Sequence, residues 1–228
     1  MSNNRNIIQI QKMPSIPAEN NRSGKTNAED LKPLVPIYFY TPTILILAIA
    51  AVISGAHSPL AIGGLLIIGW FLWGLFEYAF HRFVLHRAEN PDRVIPLPGN
   101  ATHHAHHRDP KAHDRLYIPL HEGVPVAVGF WFLTWFSTGS WQTTAFLYAG
   151  FMIGYLVYEW IDYEAHHGKS RSRLMRYYKK YHLQHHHVDE AARYGVTTPI
   201  FDYLFGTYHL ENRAKNRAAR KNRLEAKA

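Results

Sequence analysis

The sequence predicts an all-α integral membrane protein with four transmembrane helices. Apolar residues make up 47% of the 228, including six Trp, fourteen Tyr and twelve Phe, more than a soluble domain requires. They gather in four stretches, Ile37 to Ala56, Leu60 to Phe80, Val124 to Trp141 and Thr143 to Ile161. Each is near the roughly 20 residues that cross a ~30 Å hydrocarbon layer, the last two being slightly short. The 25 Lys and Arg residues avoid these stretches.

Met1 to Pro36 is polar and charged, with no apolar run and no cleavage site, so it reads as a disordered tail and not a secretory signal. His57, Ser58 and Pro59 join spans one and two, and Gly139 and Ser140 join spans three and four. Connectors this short make each pair an antiparallel helical hairpin. All basic residues then fall in Met1 to Pro36, Arg82 to Arg115 or Lys169 to Ala228, which four spans bring to one face. Positive charge favours the cytoplasmic side, which places both termini there, in a bacterial inner membrane or an endoplasmic reticulum. A re-entrant hairpin in place of spans three and four leaves that sidedness unchanged. Beyond Gly168 a helix is expected over Tyr178 to His187, followed by a loop from Gly195 to Gly206. Residues 211–228 form a basic tail suited to anionic headgroups. Membrane topology accounts for the net charge of +8, and no nucleic-acid partner is expected.

Cysteine is absent, which excludes disulfides, thiolate metal sites, iron-sulfur clusters and a Cys nucleophile. Histidine takes its place: twelve of the sixteen lie between Glu77 and Arg108 or between Tyr158 and Val188, each window starting where a span ends. His81 and His86 are five residues apart, about 140° around a helix, so they serve two metals, serve one metal across a partly unwound turn, or with Arg82 anchor the span at the headgroups. Glu77, one turn before His81, is placed to take the proton of that ring's free nitrogen. His103, His106 and His107, and again His182, His185 and His186, follow the spacing His-x-x-His-His. On a helix three such rings lie within about 100° and point the same way, so each cluster supplies three ligands. Asp162 and His166 share a helix face at i and i+4, Asp162 acting as an oxygen ligand, as the partner of a ligand histidine, or in an ordinary salt bridge. His104, His113, His167, His187 and His209 are assigned surface or supporting roles.

Nine histidines and an aspartate exceed one ion's coordination number and argue for two. Imidazole suits zinc, copper, iron and nickel alike. Open positions beside apolar helices, with no other nucleophile, fit oxygen activation by iron better than hydrolysis.

These residues resemble the fatty acid hydroxylase and sterol desaturase superfamily of membrane oxygenases. The resemblance runs from about Leu60 to Tyr208. It rests on His81-x-x-x-x-His86, the two His-x-x-His-His boxes, the Tyr158 to His166 segment and the run Tyr194 to Thr207. The spacing is most like the fatty acid 2-hydroxylases, which hydroxylate the acyl chain of sphingolipids next to the carbonyl. That resemblance implies a domain over residues 37–210 with a histidine-rich cytosolic helical cap above four membrane helices. It also implies a dimetal site, two Fe when active although Zn can occupy it in purified protein, with O2 as co-substrate. No haem-binding segment precedes the first span, so a separate electron donor, cytochrome b5-like or a ferredoxin and its reductase, is expected. The pattern departs at Asp162, where those hydroxylases carry histidine.

The expected reaction is hydroxylation of a lipid acyl chain of the sphingolipid or ceramide type within the membrane. Trp70, Phe71, Trp73 and Phe76 either line the lipid's access path or simply pack the helices, Glu159 at the end of span four is a candidate to support a metal ligand, and Asp202 is expected to orient a ligand histidine or cap a helix. A desaturase, a sterol-modifying enzyme or a carotenoid hydroxylase would share the metals. A metal transporter would need ionisable groups at mid-membrane, which the spans lack.

Overall fold

The computed structural model describes residues 34–86, 99–112 and 117–208. Most of the expected polar N-terminal tail, the whole C-terminal tail, His113 and His209 lie outside them.

The described residues form seven α-helices: α1 (Val35–Ile53), α2 (Pro59–Phe80), α3 (Asn100–Arg108), α4 (Leu120–Thr138), α5 (Trp141–His166), α6 (Arg173–His187) and α7 (Ile200–Leu204). A π-helical turn, His81–Leu85, extends α2. Local chemistry sets the ends. Ser58 accepts from the Ala61 amide with Pro59 in the first turn of α2, and Ser140 and Ser172 cap α5 and α6 in the same way, satisfying amides the helices leave open. Gly139 ends α4 at a positive φ of 64°, a conformation that costs glycine little.

Helices α1, α2 and α5 are long and apolar enough to cross a membrane. Helix α4, where the third span is expected, has 19 residues but begins with His121 and Glu122. Helix α1 starts at Val35, inside the segment expected to be tail, because Pro36 suits a first helical turn. The expected loop Gly195 to Gly206 contains α7.

Helix α5 is the central post, buried along most of its length against α1, α2, α4 and α6. Its contact with α2 depends on missing side chains: a methyl group on Gly69 would strike the Leu147 carbonyl, and one on Gly150 the Leu66 carbonyl. Small residues thus let the two backbones touch, as in helix pairs within lipid. Tyr40, Ile44, Trp73, Tyr148, Phe151, Met152 and Tyr155 form the main core. Large apolar side chains cover the outside, among them Ile46, Ile49, Ile53, Ile67, Leu133 and Phe136, a surface suited to acyl chains. The two short connectors meet at one end, where His57 Nε2 lies 3.0 Å from Thr143 Oγ1. The clustered histidines lie at the other.

Candidate metal centre

The ten predicted side chains converge into two groups of five. His81, His86, His103, His107 and His185 form the first, and His106, Asp162, His166, His182 and His186 the second, the donor atoms within each lying within 4.8 Å of one another.

The expectation that each triplet acts as a unit is corrected here. His103 and His107 enter the first group while His106 enters the second; His182 and His186 enter the second while His185 enters the first. At 100° per residue, positions i+3 and i+4 lie on opposite sides of position i and 100° apart. The i and i+4 rings therefore reach one group and the i+3 ring reaches its neighbour. The rings of α3 and α6 meet directly, His106 and His107 against His185 and His186, so the two partitions are complementary.

The π-helical turn decides among the readings of His81 and His86. The His86 amide donates to the His81 carbonyl at 3.0 Å, an i to i+5 bond that widens the turn and returns both rings to one face. His86 Nε2 then lies 2.9 Å from His103 Nε2 and 3.0 Å from His185 Nε2, with His81 Nε2 3.0 Å from His103 Nε2. In the second group Asp162 Oδ1 is 2.8 Å from His182 Nε2, 3.3 Å from His106 Nε2 and 3.5 Å from His166 Nε2.

Backbone carbonyls fix two tautomers. His81 Nδ1 donates to the Tyr194 carbonyl at 2.6 Å, and His185 Nδ1 to the Ala192 carbonyl at 2.7 Å. A carbonyl only accepts, so each Nδ1 carries the proton and each neutral ring turns a bare Nε2 lone pair inward. Burial, then the neighbouring imidazoles, holds His103 and His185 well below the ordinary imidazole pKa and pushes His86 and His107 down to about 2. The rings are uncharged at neutral pH.

Three supporting assignments change. Glu77 takes its hydrogen bonds from the Val196 and Thr197 amides and the Thr197 hydroxyl, and not from His81, whose Nδ1 the Tyr194 carbonyl has claimed. Asp202 accepts from Tyr181 Oη at 2.8 Å, the Tyr194 amide at 2.9 Å and the Gly195 amide at 2.7 Å. No histidine among the described residues is hydrogen-bonded to it; it shapes the loop whose Tyr194 carbonyl holds His81. Glu159 accepts from the Ile118 amide at 3.0 Å and pins the start of α4 to α5. Sequence reasoning missed Tyr194 and Ala192, because a carbonyl acceptor carries no side-chain signature. His104 lies near His86, His167 stacks on Tyr163 and His187 is exposed.

A cavity of about 520 Å³ lies against both groups, with His81, His103, His106 and Asp162 in its wall. Trp73, Phe76, Phe80, Val126, Phe151 and Met152 make the rest mostly apolar. Trp73 and Phe76 thus take the lining role expected of them, whereas Phe71 is exposed on the outer face of α2 and Trp70 is not part of the wall.

Known proteins resemble this chain over most of its helical region. The fatty acid hydroxylase family model matches residues 66–207. Dihydroceramide fatty acyl 2-hydroxylase FAH1 of Arabidopsis thaliana is 32% identical over 76% of this chain and 71% of that protein. Human fatty acid 2-hydroxylase is 30% identical over 63% of this chain but only 39% of its own length. A solved structure of full-length scs7p, in which only the hydroxylase domain is visible, superimposes with a TM-score of 0.66 at 28% identity, covering 80% of this chain and 70% of that one. With its clustered histidines and apolar helices, the chain belongs to the fatty acid hydroxylase family, is most like the fatty acid 2-hydroxylases, and is an oxidoreductase.

Proposed function

We propose that this protein is a di-iron acyl 2-hydroxylase acting on a ceramide-type lipid within the bilayer. The observation that carries this reading is the inward-facing pair of lone pairs on His81 and His185, held by the Tyr194 and Ala192 carbonyls. Neutral imidazoles gathered nitrogen to nitrogen at about 3.0 Å, two of them holding bare Nε2 lone pairs inward, form a donor set that suits a cation. Adjacent ligands of one ion with bonds of about 2.1 Å stand about 3 Å apart, matching the spacings within the first group. The second group repeats the pattern with Asp162 as its oxygen donor, and both ring nitrogens of buried His186 have no hydrogen-bond partner among the described residues.

The metal pair, when bound, supplies oxygen reduction: two electrons and two protons convert O2 into the hydroxyl placed on the acyl carbon and one water. The chain's own residues do the rest. The Tyr194 and Ala192 carbonyls keep His81 and His185 in the ligating tautomer. The apolar cavity excludes water from the acyl chain and holds it against His81, His106 and Asp162. Relatives named for ceramide and dihydroceramide support the substrate class. Electrons come from a separate carrier.

For topology, we assign four spans, α4 being the third, with the metal centre on the cytoplasmic face. Arg82, Arg108, Lys111, Lys169 and Arg171 at the histidine end support that orientation.

Lipidomics of an expressing strain, compared with the same strain carrying His186→Ala, tests the assignment. A ceramide fraction heavier by one oxygen, lost in the variant, is expected. A product lighter by two hydrogens would make the enzyme a desaturase instead.

A further inference from the structure

Helix α7 packs against the histidine end of the spanning helix α2. Counting from Pro59, a ~30 Å hydrocarbon layer takes about 20 residues of α2 at 1.5 Å each and ends near Tyr78. Gly74 is therefore about 6 Å inside that layer. Helix α7 packs at this level: a methyl group on Gly74 would come within 3.0 Å of Thr198 Cγ2 and 3.2 Å of Phe201 Cε2. The Tyr78 ring stacks on Phe205 at 5.2 Å.

The orientation of α7 is fixed from inside. Asp202 is fully buried and bonded to Tyr181, Tyr194 and Gly195, while Phe201 turns onto α2. What remains faces outward: Ile200 is 48% exposed, Leu204 69% and Phe205 49%, with Tyr203 also exposed and stacked on Tyr208. Next to them on α2, Phe71 and Leu75 are also exposed, so the patch continues the lipid-facing side of a spanning helix. Aliphatic and aromatic side chains gain free energy on leaving water, so Ile200, Leu204 and Phe205 together form an attraction for hydrocarbon. A short helix on the cap would ordinarily bear polar residues here.

We propose that α7 is a membrane-embedded foot of the cap, with Ile200, Leu204 and Phe205 in contact with acyl chains beside α2. The foot is coupled to the metal centre: Asp202 binds the Tyr194 and Gly195 amides, and the Tyr194 carbonyl binds His81. The bilayer thus sets the height of the loop that orients a ring of the first group. This inference is independent of which metal or substrate the site takes.

The chain has no cysteine, so a single introduced thiol gives one labelled position. Leu204→Cys and Ile200→Cys, each spin-labelled in the full chain in phosphatidylcholine nanodiscs, are compared with Ile68→Cys on the outer face of α2 and Lys111→Cys beyond α3. Collision with dissolved oxygen and with a water-soluble nickel chelate is read by power saturation. Labels at 204 and 200 are expected to lose nickel collision to the level of Ile68 while keeping oxygen collision. Nickel collision at both positions equal to that at Lys111 would overturn the proposal. So would shielding from both reagents with spin-spin broadening, which would mean that a second copy covers the patch. An aqueous reading at Ile68 would remove the membrane placement and the foot together.

Discussion

His86 faces His185 across 99 residues of sequence, Nε2 to Nε2 at 3.0 Å. The first ring stands just past a π-helical turn and the second is the i+3 member of a triplet on α6. Their meeting closes the first group, while the flanking His182 and His186 belong to the second. The two groups therefore share helices but not ligands.

That division predicts unequal losses. His185→Ala is expected to leave about one metal per chain by elemental analysis, because it opens only the first group, and His182→Ala to leave the other. Each variant should lose hydroxylated product below detection. Full metal content in both variants would contradict the partition.

Asp162 supplies the second group's one anionic donor. Asp162→Asn keeps its size but removes the charge and is expected to weaken metal binding there about 10–100-fold. Asp162→His, which restores a nitrogen donor, should retain both ions. Chelator competition reads the difference.

Burial and mutual repulsion hold His86 and His107 down at about 2, with His103 and His185 also well below 6.5. Below pH 6.5 the unfolded chain takes up protons that the folded rings refuse, so stability is full above that value and falls as pH drops towards the folded pKa values. Metal-free protein in nanodiscs is expected to unfold at a lower temperature at pH 5 than at pH 8. A flat profile would show that the rings are not buried together.

The cavity offers a variant that spares the metals. Ala127, buried in its wall on α4, replaced by Trp should block acyl-chain binding, giving loss of product with unchanged metal content. If long and short acyl substrates were both still turned over normally, the acyl chain would have to lie elsewhere.

Close helix contact gives a stability test. Gly150→Ala forces a methyl group onto the Leu66 carbonyl and is expected to cost about 1–3 kcal/mol, seen as a lower unfolding temperature. Gly129→Ala, with open space around it, is the matched control.

Much of this protein was legible without coordinates. Apolar runs of membrane-crossing length, broken by Ser-Pro and Gly-Ser turns, gave α1, α2, α4 and α5 to within a few residues at most ends, since length and capping are local properties. Helix α5 runs past the apolar span to His166, as the shared face of Asp162 and His166 implied, and carries both side chains into the cap. The same spacing named every side chain that the two groups contain.

Sequence alone determined the residue types and the helices that carry them, because helical periodicity and hydropathy act over a few residues. Only tertiary structure decided which ring meets which. The i+3 and i+4 positions diverge by 100°, and the placement of α3 beside α6, ring against ring, selects their partners. It also decided that carbonyls of Tyr194 and Ala192 orient the rings, leaving Glu77 and Asp202 to hold the loop. A main-chain oxygen is common to every residue, so only its position in space gives it a role.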